Sequence, residues 1–214
     1  MNNSENEGFR VNTNIKEVNT TVKAYTKLSV REEIFEWFDI ISIALIAVLI
    51  IFGLLFRIAT ISGDSMLNTL HDGERIILRD VGYKPQNGDI VVISRNIENK
   101  ASTEYEDDGP IIKRIIATEN QTVEIDFDLG IVYVDGKALE EDYTSTPTID
   151  RRDFEGPVTV PEGHIFVLGD NRTISLDSRS KDIGTNGMID ERYILGQAIF
   201  RVFPFDKIGR LDNK

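Results

Sequence analysis

From Ile40 to Phe56 the chain reads IISIALIAVLIIFGLLF, a stretch of 17 residues with no charge and with Ser42 as its one polar side chain. Lengthened by Trp37 and Phe38 before it and Ile58 after it, this run is expected to cross the ~30 Å hydrocarbon core of a bilayer as a helix, which satisfies its own backbone polar groups. A cleavable leader would start earlier and be followed by a small-residue cleavage site, and none precedes Arg57. The expected organisation is therefore a tail over 1–33, an anchor over 34–57 and one domain over 58–214. The tail is polar and lacks a sustained apolar face, so it is expected to be mobile. Lys23, Lys27 and Arg31 before the run, against Arg57 after it, favour a cytoplasmic amino terminus, although Glu32, Glu33, Glu36 and Asp39 dilute that signal.

Past Arg57 there is no second long apolar run, and the patterning becomes that of a mainly β domain. Residues 75–78, 89–93, 111–116, 123–127, 131–134, 164–168 and 198–202 are short β-branched runs bounded by Gly, Asp, Asn or Pro. Leu129-Gly130 and Asp135-Gly136 are expected turns, and 94–110 is a long polar excursion. The formal net charge of −12 excludes a nucleic-acid partner, because phosphate binding requires clustered Lys and Arg. With no cysteine and two histidines, His71 and His164, the chain cannot build a thiolate or multi-histidine metal centre, and no metal or cofactor is expected.

Three segments carry candidate chemistry. Ser62-Gly63-Asp64-Ser65-Met66 follows the apolar run directly, and Gly63 beside a serine allows a sharp turn that presents an Oγ. Read alone, this is also ordinary turn chemistry. In Ile111-Ile112-Lys113-Arg114-Ile115-Ile116, strand alternation puts Lys113 on one face with Ile111 and Ile115, and Arg114 on the other. Burial among isoleucines would strip hydration from the Lys113 ammonium and favour the free amine, a base suited to a serine. The competing reading is an edge strand whose two cations both reach solvent. Gly169-Asp170-Asn171-Arg172-Thr173-Ile174-Ser175-Leu176-Asp177-Ser178-Arg179 is dense enough in polar groups for a network. Asp177 can pair with Arg179, and Ser175 can hydrogen-bond near an amine; a charged surface loop is the alternative.

Together, and in this order, the three segments resemble bacterial type I signal peptidases, the single-anchor Gram-positive type. Gly-Asp-Asn-Arg followed by Ser-x-Asp-Ser-Arg is the most specific match. Gly88 to Val92, Val132 to Gly136, and Gly196-Gln197-Ala198 through Phe203-Pro204-Phe205 match in sequence as well. The resemblance implies a β-barrel or sandwich catalytic domain preceded by one transmembrane helix. It also implies an endopeptidase that removes signal peptides from exported precursors at the outer face of the cell membrane, beside membrane lipid and in reach of the secretion translocase.

Carried over residue by residue, it makes Ser65 the nucleophile and Lys113 the general base. Ser175 would orient the lysine, Gly169 would allow close backbone approach, and Asp177 with Arg179 would hold the site together. Met66 would pack beside the nucleophile at a surface facing membrane or substrate. The Ser65 N–H would be one oxyanion donor, whereas Gly63 stands where some members carry a serine hydroxyl as a second. Other departures are Asn68 for a proline, Ile111 for an aromatic residue, and Ala117 to Gln121 for a Gly-x-Pro-Gly-Asp turn. Three alternatives stay open: a self-cleaving Ser-Lys protease of the repressor kind, a catalytically silent membrane-tethered module that binds precursors, and a Ser-His enzyme using His71 or His164.

Overall fold

The computed structural model describes residues 30–94 and 109–211; the polar excursion and the tail fall almost wholly outside them. Helix α1, Val30–Leu55, contains a 21-residue apolar segment, Glu33–Gly53, that is long and apolar enough to cross a membrane. At 1.5 Å per residue that segment is about 31 Å long, the thickness of a hydrocarbon core. Its large side chains are exposed all round, Trp37 at 66% and Ile43 at 67% among them, the pattern of a helix whose solvent is lipid. The helix ends earlier than the sequence suggested. Phe56 already begins a strand, so Ile58 does not lengthen the span; the extra turns come from Glu33 to Asp39 instead.

The remainder, from Phe52 onward, is a second compact unit. Its strands are β1 (Phe56–Thr60), β2 (Arg75–Arg79), β3 (Ile90–Ile93), β4 (Ile111–Ala117), β5 (Thr122–Asp126), β6 (Ile131–Val134), β7 (Lys137–Ala138), β8 (Val158–Thr159), β9 (His164–Leu168), β10 (Ile189–Asp190), β11 (Ile194–Phe203) and β12 (Gly209–Arg210). The larger sheet runs β1-β2-β11-β3-β4-β9-β10 with β12 on β11, and the smaller runs β7-β6-β5-β8. All pairings are antiparallel. This is the mainly β domain expected.

Both faces of the central strands are covered. Ile90, Val92, Ile76 and Leu78 join Met66 and Leu70 in one apolar cluster, while Val91, Ile93, Ile115, Ile165 and Val167 form another on the opposite face. A third, with Phe154 edge-on to Phe166, joins β4 and β9 to the smaller sheet through Val123, Ile125, Val132 and Val134. Strands clothed on both sides read as continuous apolar runs, as β3 does with all four residues buried.

Candidate active site

Ser65 lies in the connection between β1 and β2, which are paired from Phe56↔Arg79 to Thr60↔Arg75. The ladder continues one step into the loop: Ile61 N donates to Glu74 O at 2.8 Å and Gly73 N to Ile61 O at 3.0 Å. Inside that closed base the chain makes a helical turn, with Leu70 N donating to Met66 O at 2.8 Å. Gly63 enters the turn at φ +84°, a conformation that a side chain disfavours, and its N–H donates to Asp72 Oδ1 at 2.9 Å. Met66 and Leu70 fill the core beneath, at 1% and 0% exposure. The expectation that Met66 meets membrane or substrate is therefore wrong: it anchors the turn from inside, and Ser65, one residue earlier, remains partly accessible.

Lys113 comes from β4, opposite Val91, with Arg114 opposite Ile90. Alternation separates the two cations as read from sequence, but both are buried, at 3% and 1%, because both faces of the sheet are covered. Nor is β4 an edge strand. It pairs with β3 from Ile111 to Arg114 and with β9 from Arg114 to Ala117. Lys113 Nζ lies 2.9 Å from Ser65 Oγ and 2.9 Å from Ile112 O, as donor to both.

The segment after β9 holds the turn in place. Asn171 N donates to Ser65 O at 3.0 Å, and Asn171 Nδ2 to Asp64 O at 3.2 Å. Three buried arginines brace this segment, each through a carboxylate. Arg114 grips Asp170 with Nε to Oδ1 at 2.9 Å and Nη2 to Oδ2 at 2.8 Å, and its guanidinium stacks 3.9 Å from the Tyr143 ring centroid. Arg179 grips Asp177 at 2.8 and 2.9 Å, and Asp177 Oδ2 also accepts from Gly169 N at 3.1 Å. Arg172 grips Glu141 through both terminal nitrogens and donates from Nε to Gly169 O at 3.0 Å. Such forked pairs satisfy the charge that burial would otherwise penalise. Burial and the nearby Glu141 carboxylate push the Tyr143 phenol above its ordinary range, so it stays a neutral ring against Arg114.

The segment is thus a network and no surface loop, and Asp177 with Arg179 sit where the sequence put them. Ser175 is fully buried at the same place, but its Oγ has no hydrogen-bond partner. Sequence reasoning missed Glu141 and Tyr143, about 30 positions from the arginines they meet, and Asn171 and Thr69 as grips on the turn. The acidic triplet Glu140-Glu141-Asp142 was the one available signal, since an arginine following a buried strand needs a carboxylate. His71 Nδ1 is 3.6 Å from Glu74, and His164 Nδ1 is 2.8 Å from Glu162 O.

Gly169 has a steric reason. A Cβ there would overlap Ser175 Oγ and Cβ and would stand 2.6 Å from Ser65 O. Gly169→Ala is expected to displace the Ser65 turn and lower kcat by roughly a hundredfold, the cost of an ångström's misplacement. Gly163→Ala, whose Cβ would meet nothing within 4 Å, is the control for mere backbone strain, and catalytic turnover at matched folded fraction checks both.

A serine hydroxyl in hydrogen-bond contact with a buried amine, in a water-accessible turn of a β domain, is an arrangement that can support nucleophilic chemistry with the amine as proton acceptor. Comparison with known proteins gives the family. The profile described as signal peptidase, peptidase S26, matches residues 34–203. Signal peptidase I of Bacillus licheniformis is 36% identical over 195 residues, covering 85% of this chain and 95% of the relative. A probable signal peptidase I-1 of Synechocystis is 38% identical over 181 residues, covering 80% and 86%. A crystal structure of a signal peptidase I from Enterococcus faecalis is similar with a TM-score of 0.39 at 30% identity, covering 54% of this chain and 97% of that one. The chain belongs to the signal peptidase family, peptidase S26, and is an enzyme of that hydrolase class. The family and the single apolar helix among the described residues fit a membrane-anchored protein.

Proposed function

We propose that this signal peptidase cuts amino-terminal signal peptides from exported precursors by acyl transfer, with Ser65 as nucleophile and Lys113 as general base. The observation that carries the reading is the 2.9 Å contact between Lys113 Nζ and Ser65 Oγ, made by an amine that is 3% exposed. Burial disfavours the ammonium, and in the neutral amine the same contact lets Oγ–H donate to Nζ. Ser65 Oγ attacks the scissile carbonyl while Nζ takes its proton. Nζ then returns that proton to the leaving amine as the C–N bond breaks, leaving an ester on Ser65. Water hydrolyses the ester with Lys113 again as base, restoring the free serine.

The Ser65 N–H is one oxyanion donor in this scheme, and the developing charge is stabilised by donors already fixed in place. Gly63 brings no hydroxyl to the site. Ile111 to Lys113 pair with β3 but lie beyond the ladder to β9, which starts at Arg114, so this half of β4 is where an extended substrate would add as a strand. A bilayer-anchored site of this kind selects a substrate that offers an apolar stretch and small residues at its boundary. The catalytic domain stands on the outer face with the amino terminus cytoplasmic, in keeping with Lys23, Lys27 and Arg31 before the span. Its neighbours there are membrane lipid and the secretion translocase.

The test is incubation of the detergent-solubilised full chain with a precursor carrying an Ala-x-Ala boundary, followed by sequencing of the new amino terminus. Cleavage after the second Ala is expected. Precursor bound but left intact by the folded protein would contradict the reading and favour a silent binding module.

A further inference from the structure

Asn171 holds the start of the turn at Asp64 and Ser65, and its far end, Thr69, is held by Asp170 and also by a residue the mechanism does not use. Arg201 projects from β11, where its backbone is fixed between Ile76 of β2 and Gly209 of β12. Its side chain is 15% exposed and does two things at once. Nε forms an ion pair, without hydrogen-bond geometry, 2.9 Å from Oε2 of Glu74, a carboxylate only 3% exposed, and Nη2 donates to Thr69 O at 2.5 Å. Glu74 closes the base of the loop through its own backbone and also faces His71 at 3.6 Å and Lys207 at 3.9 Å.

Thr69 is the node on which these forces meet. Its carbonyl accepts from Arg201, and its hydroxyl donates to Asp170 Oδ2 at 2.5 Å, the carboxylate held by Arg114 next to Lys113 on β4. Thr69 ends the turn that Ser65 and Met66 begin. The turn is thus strung between two guanidinium–carboxylate pairs, one on the side of the base and one on the side of β2 and β11.

We infer that Arg201 is a positioning residue for the reaction: held by Glu74, it fixes Thr69 O and so sets the distance from Ser65 Oγ to Lys113 Nζ. A guanidinium can pair with Glu74 through one nitrogen and donate to Thr69 O through another, whereas a lysine ammonium in its place can keep the ion pair but lacks the second nitrogen for Thr69 O. The inference rests on the Ser65–Lys113 reading.

The experiment uses the full chain in detergent and compares wild type with Arg201→Gln, Arg201→Lys and Ser65→Ala for kcat, KM and urea midpoint. Arg201→Gln is expected to lose roughly ten- to a hundredfold in kcat with KM changed less than about twofold, since the defect lies in aligning the reacting atoms. Arg201→Lys is expected to regain the urea midpoint and not the kcat, and it carries the test if Arg201→Gln fails to fold. Wild-type kcat in either folded variant, recovery of kcat together with stability in Arg201→Lys, or a loss confined to KM would overturn the inference. Ser65→Ala separates the two levels: cleavage by that variant would sink the underlying reading, whereas a silent Ser65→Ala beside a fully active Arg201→Gln would sink this inference alone.

Discussion

Ser65→Ala and Lys113→Ala are each expected to lower kcat by roughly four orders of magnitude or more, and the double variant to be no worse than either, because members of one catalytic unit lose their effect together. Ser65→Ala removes the atom that forms the ester. Lys113→Ala leaves that atom in place without a base, and the ordinary hydroxyl is a poor nucleophile near neutral pH. Among the described residues, the amine in contact with Ser65 is that of Lys113, buried against Ser65 and the Ile112 carbonyl, while His71 faces Glu74 and His164 Nδ1 contacts Glu162 O. Single-turnover cleavage of a precursor by the three variants checks the prediction. Losses that multiply in the double variant would mean that the two residues act independently.

The second large effect is on stability. Asp177→Ala removes the carboxylate from an Arg179 that is 1% exposed, and it takes the acceptor from Gly169 N as well. An uncompensated buried guanidinium costs about 3–5 kcal/mol, against a total of about 5–15 kcal/mol for a domain. Urea unfolding of Asp177→Ala in detergent is expected to show a midpoint far below wild type or no folded baseline. Glu155→Ala breaks the Lys181–Glu155 pair, whose side chains are 50% and 82% exposed, and is expected to cost less than about 1 kcal/mol. Equal midpoints for the two variants would contradict the view that buried forks, and not ion pairs in general, carry the stability of the site.

How much of this was legible in the sequence follows from the range of the interactions. Strands β2, β3, β6 and β9 were visible because a β-branched run between turn residues is a local signal, and the Asp135-Gly136 turn was visible for the same reason. Strand β1 was not. Phe56, Ile58 and Ala59 continue the apolar run, and only their pairing with Arg79, Ile77 and Ile76 turns them from helix into sheet. Asp177 and Arg179 are two positions apart, so their pairing could be proposed. Arg172 meets Glu141 and Arg114 meets Asp170 across 31 and 56 positions, distances over which composition says only that partners are needed.

Burial was the other property that pattern could not give. Alternation correctly placed Lys113 and Arg114 on opposite faces, but an edge strand and a central strand show the same alternation. The ladder to β9 on the far side of β4, together with the apolar clusters on both faces of the sheet, one of which includes Met66 of the turn, decides that both cations are inside. Ser65 was the least informative of the residues by itself, since Gly-Asp-Ser is common in turns. What singles it out is the amine delivered to it from β4 and the Asn171 grip from the segment after β9.

The central claim, that the Lys113 amine acts as a neutral base toward Ser65, is tested most directly by the pH dependence of kcat/KM for wild type alongside His71→Gln and His164→Gln. Because the working form is the deprotonated amine, the rate is predicted to rise with pH, with a single ionisation well below the ~10.4 of an ordinary lysine, and the same limb in all three proteins. A rate that is flat across the range, or a limb near pH 6.5 that disappears in either histidine variant, would contradict it.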